Sequence, residues 1–386
     1  MRTPLLGLLV LSSAALAIGL RAQTAPPRAP ANTRAAVTAA ERFLASLDAT
    51  QKPHASYAFD DTIKSAWHNL PPNMHARAGI AFRDLTPAQQ ELGRAVLTAV
   101  LSDYGYQKVQ KIMAADDFLG KEWGAGFPTG PTAYMLAIYG TPSLSQPWSV
   151  QFNGHHLGIN VAMAAPDNVL TPTLTAAYPN IYDDHGKAVF VLEDEATRAL
   201  KLIQALSPAQ QEKAIQTTQI WDFLLGPGHD GEVLQPEGVK GSDMTAAQKE
   251  LLLSTAAAWV NISDQASAQA KMAELRRNVN DTYFLWSGST TTPGDAYFRI
   301  QGPTAWIEYS PQTVGGPGSA RRGGQPGAAP GGTPAGPRGA GQGARGRGSF
   351  DAVLNSPDRQ LDPVHVHTVY RDFTNDYGRR FYAATR

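Results

Sequence analysis

The sequence predicts an α+β or mixed α/β fold, one large globular domain in which several helices pack on a mixed sheet. Three observations carry this expectation. Helix starts of one design recur along the chain, segments rich in β-branched and aromatic residues lie between them, and strand-like segments return at the C-terminal end. With 386 residues, 42% hydrophobic and 17% charged, the chain has enough apolar material to bury a sizeable core.

In chain order, Arg2, an apolar run from Leu5 to Leu20 and small residues around Ala22 read as a secretory leader over residues 1–22. The run is shorter than the roughly 20 residues that span a bilayer, and no later segment is as continuously apolar over that length. The mature chain is therefore expected to be secreted or periplasmic, with no membrane span after the leader is removed. Intact-mass measurement on exported material should show loss of about the first 22 residues; a product beginning at Met1 would refute the leader. Residues 23–34 form a Pro/Ala-rich linker, and the globular domain takes 35–312 and 350–386.

Val37, Ala40, Phe43, Leu44 and Leu47 recur at helical spacing, as do Ala196, Ala199, Leu200, Ile203 and Leu206. Three further helices start at Thr86, Ser207 and Thr245. Each has a hydroxyl at the cap, Pro or Ala next, and Gln three residues on, the pattern of a capping box, with Leu85, Leu206 or Met244 ahead of it as an apolar staple. Their uneven spacing reads as a recurring local solution and not as a fixed-period solenoid. Strands are expected at Tyr134 to Tyr139, Trp148 to Phe152, Leu157 to Ala162, Val189 to Leu192, Tyr297 to Gln301, Ala305 to Tyr309 and Val364 to Tyr370. Residues 313–349, made mostly of Gly, Pro, Ala and Arg without an acidic group, read as a disordered insert.

Several function classes fall away on composition. No cysteine is present, which excludes thiol nucleophiles, iron–sulfur clusters and Cys-ligated metals. HExxH, GxSxG and GxxxxGK[ST] are all missing, and the GxGxxG match at Gly341, Gly343 and Gly346 has neither a strand before it nor a helix after it. The formal net charge of zero includes Arg2 and Arg21 in the leader and five arginines in the insert, so the rest is mildly acidic and no nucleic acid is expected as partner.

The densest chemical pattern is Pro363-Val364-His365-Val366-His367, followed by Arg371, Asp372 and Asp376. Alternate side chains of a strand share a face, so His365 and His367 stand together, either as metal ligands or as a hydrogen-bonded pair. The second cluster is Gly154-His155-His156-Leu157-Gly158-Ile159-Asn160. There Leu157 and Ile159 should face the core and His156 and Asn160 the other way, with Gly158 leaving room for a ligand. Glu308, on a strand that pairs with the His365–His367 strand across the insert, is a further candidate ligand or an ordinary salt-bridge partner.

These stretches resemble the bacterial family called domain of unknown function 3500, often found on exported proteins. The similarity extends to Ala66-Trp67-His68-Asn69-Leu70-Pro71-Pro72, Arg77 with Gly79, Leu101-Ser102 with Gly105-Tyr106, Thr171-Pro172, Gly302-Pro303 and Asp376-Tyr377-Gly378. It covers about residues 35–312 and 360–386, and the insert departs from it. The resemblance implies that His155, His156, Asn160, His365, His367, Arg371 and Asp372 belong together as recurring features, and it implies no activity.

The functional expectation is a metal-dependent hydrolase acting on a small-molecule or envelope-derived substrate. Its cofactor would be a divalent ion, zinc or another first-row metal. His155, His156, Glu308, His365 and His367 are the candidate ligands, Asp372 or Asp376 the proton acceptor, and Arg371 the holder of an anionic group; Trp67, Arg77 and Asn160 line the ligand face. The rival reading is an exported module that binds a small ligand or cell-wall fragment on the same face without catalysis. An open metal position beside a base would favour catalysis. Metal-free catalysis by His and Asp is a third reading, in which the imidazoles pair with carboxylates instead of converging.

Overall fold

Alternation of apolar and polar residues along the strands decides which side of the sheet the helices cover. A computed structural model describes residues 31–164, 167–218, 220, 222–313 and 361–382. The leader, the linker up to residue 30 and the insert beyond Thr313 lie outside the described residues.

The helices longer than one turn are α1 (Ala31–Ser46), α3 (Pro87–Val100), α4 (Asp103–Trp123), α5 (Glu193–Ala205), α6 (Pro208–Ala214), α7 (Ala246–Val260) and α8 (Gln265–Arg277), with the single turn α2 at Lys52–Ala55. Helix α1 takes in the last residues assigned to the linker and buries Thr33. All three expected capping boxes form, at Thr86, Ser207 and Thr245. No helix among the described residues is long and apolar enough to cross a membrane.

The strands are β1 (Ser56–Tyr57), β2 (Ile80–Ala81), β3 (Met135–Tyr139), β4 (Trp148–Gly154), β5 (Leu157–Ala164), β6 (Asp167–Val169), β7 (Thr173–Ala177), β8 (Ile181–Asp184), β9 (Lys187–Phe190), β10 (Val239–Lys240), β11 (Tyr283–Gly288), β12 (Ala296–Gln301), β13 (Trp306–Thr313) and β14 (Leu361–Arg371). Twelve of them form one mixed sheet in the order β1-β3-β4-β5-β7-β14-β13-β12-β11-β10, with β2 on β3 and β6 on β5. Strand β9, expected near Val189 to Leu192, pairs only with β8, because the turn at Asp184 to Lys187 closes a separate hairpin and Leu192 already caps α5. Strands β13 and β14 pair antiparallel on either side of the insert, as the sequence suggests.

One face of the sheet carries Phe152, Ile159, Val366, Ile307 and Ile300, and packs on the apolar stripes of α1, α3, α4, α5 and α7. Residues one position along point the other way: Asn160, His367, Arg371 and Glu308 are all buried on the second face. Loops cover that face, bringing Trp67 and Leu225 onto Leu174, Ala176, Trp306 and Val369. The sheet thus has an apolar side for the helices and a polar side for chemistry.

The sheet is also a duplication. Gln51 Nε2 donates to Asp84 O (3.0 Å) and Gln89 Oε1 (3.2 Å), and Gln89 Nε2 to Ser46 O (2.8 Å). In the second half Gln210 Nε2 donates to Asp243 O (2.7 Å) and Gln248 Oε1 (3.0 Å), and Gln248 Nε2 to Ala205 O (2.8 Å). The sequence separations within the two networks agree: 33, 38 and 43 residues in each. Between the two glutamines of each network stands a glycine of positive φ, Gly79 at 118° before β2 and Gly238 at 104° before β10. Strands β2-β3-β4-β5 and β10-β11-β12-β13 then pair in matching registers: Ile80 on Leu136, Phe152 and Ile159 in one half, Val239 on Phe284, Ile300 and Ile307 in the other. The two units meet where β7 pairs antiparallel with β14, which makes them related by an approximate two-fold. The capping boxes at Thr86 and Thr245 are therefore one element occurring twice, and the box at Ser207 corresponds to the turn at Asp48.

Candidate metal centre

The hairpin between β4 and β5 turns on His155 and His156, with Gly154 paired to Leu157. Gly154 lies so close under the Tyr134 ring that a Cβ there would clash. His156 has φ 61°, a left-handed conformation that favours glycine and costs an ordinary residue about 1 kcal/mol. Its amide donates to Asn69 O (3.2 Å) and its carbonyl accepts from Ala176 N (2.9 Å), so the surroundings hold the strained turn in place. Arg77 clamps the same region by donating to Gly154 O (2.8 Å), His68 O (3.1 Å) and Leu70 O. Because the chain bends at the histidines themselves, the two adjacent rings stack, with centroids 3.8 Å apart, instead of pointing to opposite sides of a strand.

His365 and His367 project from one face of β14 toward this turn. His365 Nε2 lies 3.2 Å from His156 Nε2 and 3.0 Å from His367 Nε2. A nitrogen of each of the three rings lies within 4.8 Å of the others, and all three residues are buried, so the group can hold a metal ion. Hydrogen bonding alone satisfies the cluster poorly. His365 Nε2 has either one hydrogen or one lone pair, and it faces two neighbours. Three converging lone pairs are what a first-row cation takes.

Neighbouring side chains fix the rings. Asp222 Oδ1 is 3.6 Å from His367 Nδ1, beyond hydrogen-bond distance, and its negative charge favours a proton on that nitrogen, with Nε2 turned toward the other rings. Burial alone would raise the Asp222 carboxyl, but the nearby His367 ring and hydrogen bonds from Gln312 and the Phe223 amide outweigh this and hold it below the usual range. The Tyr178 ring covers His365 at 4.5 Å and the Phe223 ring covers His367 at 5.4 Å. Burial, with the neighbouring imidazoles adding to it, drives His156 and His365 well below the ordinary histidine pKa, so both are neutral and ready to ligate at neutral pH.

Not every expected residue joins the group. His155 stands behind His156 and pairs through Nδ1 with Asp116 Oδ1 at 2.6 Å; burial lowers its pKa against the pull of that carboxylate. Glu308 is surrounded by four donors: Leu224 N (2.8 Å), Leu225 N (3.0 Å), Tyr297 Oη (2.6 Å) and Trp306 Nε1 (2.6 Å). It anchors the loop that carries Asp222 and is no part of the imidazole cluster. The room expected beside Gly158 is taken by the Trp67 indole, 3.4 Å from where a Cβ would stand. Trp67 itself donates to Tyr377 Oη (2.6 Å), and Asn160 is used up between Gln151 and Pro172 O.

Arg371, Asp372 and Asp376 stand at the far end of β14. Four residues of strand separate Arg371 from His367, about 13 Å, and Asp372 is a residue farther. Arg371 spends its donors on Leu225 O (2.7 Å), Gly226 O (2.7 Å), Asp230 (2.8 Å) and Asp376 (3.1 Å), tying the turn at 226–231 to the sheet. Asp372 accepts from Lys271 (2.7 Å) and from Thr374. None of the three reaches the imidazoles. Asp116, Tyr178, Asp222 and Phe223, which do shape the centre, lie in segments without a motif and only the fold brings them there.

A family model described as "Protein of unknown function (DUF3500)" matches residues 29–379. No curated protein and no solved structure matches the chain.

Proposed function

The chain belongs to the DUF3500 family, whose description assigns no activity, and from its own geometry we propose that it is an exported metal-dependent hydrolase built on His156, His365 and His367. The observation that carries this is the convergence of three buried imidazoles with no fourth protein ligand among the described residues. Structural zinc sites are closed by four protein ligands, whereas catalytic ones use three and keep a position open for water or substrate. A first-row ion bound there would supply Lewis acidity and lower the pKa of a water molecule.

The chain's own residues supply the rest. Asp222 and the Tyr178 and Phe223 rings orient the ligands and exclude bulk water from one side. His155 takes the role first assigned to Asp372 or Asp376. With Nδ1–H given to Asp116 it keeps a lone pair on Nε2, and it is packed against the cluster, so it serves as proton acceptor in this reading. Turnover of a chromogenic ester and a phosphomonoester by zinc-loaded protein, abolished by chelator and restored by zinc, is the expected result. Metal bound with no turnover of either would leave the small-ligand or cell-wall-fragment binding module as the better reading.

A further inference from the structure

Beside β6, the far end of β14 and α8, away from the imidazoles, stands a cavity of about 640 Å³, within the range that takes a small ligand. Asn168 and Leu170 line it, together with Ser263, Lys271 and Asp372. The Asp372 that sequence reasoning placed beside the histidines therefore belongs to the other end of the sheet.

The groups around this cavity are matched unevenly. The Lys271 ammonium is neutralised by Asp372 (2.7 Å) and Glu274 (3.0 Å). Arg277 and Arg380, which also line the cavity, have no carboxylate partner among the described residues; the Arg380 guanidinium donates to Thr374 Oγ1. The hydroxyl of Ser263, a residue 4% exposed, and the carbonyl oxygen of Asn168 are buried without a hydrogen-bond partner. A buried polar atom left unpaired is destabilising unless something supplies the missing bond. The two guanidinium groups call for an anion, and the unpaired hydroxyl and amide oxygen call for hydroxyl groups on the same molecule. The Tyr370 ring and Phe381 give the cavity an apolar wall.

We propose that this cavity is a second ligand site, separate from the metal centre, that takes a small hydroxylated carboxylate of the sugar-acid class. The site is independent of the hydrolase reading, since it shares no residue with the imidazole cluster. Titration calorimetry of the full chain with D-glucuronate, D-glucose and inorganic phosphate tests it. Glucuronate should bind, with glucose and phosphate at least about tenfold weaker, because each lacks one half of the recognition. Arg277→Gln, at an exposed helix end, and Ser263→Ala, which removes a hydroxyl without a partner, should each weaken glucuronate by about tenfold while the protein stays folded by circular dichroism. The variant His365→Ala/His367→Ala should bind glucuronate as the parent does. Absence of glucuronate binding, equal binding of phosphate or glucose, or loss confined to the histidine variant would overturn the proposal.

Discussion

Replacing His365 and His367 together by alanine is expected to take the purified chain from about one bound first-row metal ion to none. The centre has three imidazoles, two of them on β14, and a single remaining ligand at His156 cannot hold a divalent ion against water. Elemental analysis of parent and variant gives the direct reading. A second reading is thermodynamic, because an ion that binds only the folded state stabilises it by mass action. At a free concentration a thousand times its dissociation constant the gain is about 4 kcal/mol. The parent should therefore melt higher with added zinc than with chelator, and the variant should melt at one temperature in both. Metal retained in full by the variant would remove the imidazole cluster from the argument; a parent that takes up no metal after incubation would do the same.

What the sequence shows of this centre follows from how local each feature is. The pairing of His365 with His367 is legible because strand alternation is a two-residue rule. That they meet the histidines at 155–156 depends on β7, a short strand of TLTAA with no aromatic or long β-branched run to mark it, lying between β5 and β14. The turn at His155 and His156 is hidden because it uses φ 61° at a histidine, where sequence rules look for glycine or asparagine. Asp222 and Asp116 act at long range from segments without a pattern, so nothing local marks them. The duplication is legible in retrospect. Leu85-Thr86-Pro87-Ala88-Gln89 and Met244-Thr245-Ala246-Ala247-Gln248 are one motif, but the intervening capping box at Ser207 disguises the period. The polar face of the sheet could be listed residue by residue from the sequence, whereas its occupant could not: Trp67 arrives from a loop and fills the space that Gly158 leaves.

The second large effect is on stability in acid. His156 and His365 are buried and held well below the ordinary histidine value of 6.5, chiefly by desolvation and then by neighbouring imidazoles. The sign follows from proton counting. Below pH 6.5 the unfolded chain takes up protons at both positions while the folded chain does not, so stability falls as pH falls. A group that stays neutral in the folded chain costs at most about 1.4 kcal/mol per pH unit below 6.5. Metal should deepen the effect, since protons and cation compete for the same lone pairs. Urea unfolding at pH 7.5 and 4.5, in chelator, should show the parent losing more stability than the variant His156→Gln/His365→Gln, whose side chains do not titrate. Equal losses in both proteins would assign acid sensitivity to carboxylates elsewhere, and would mean that the two imidazoles are not held neutral by burial.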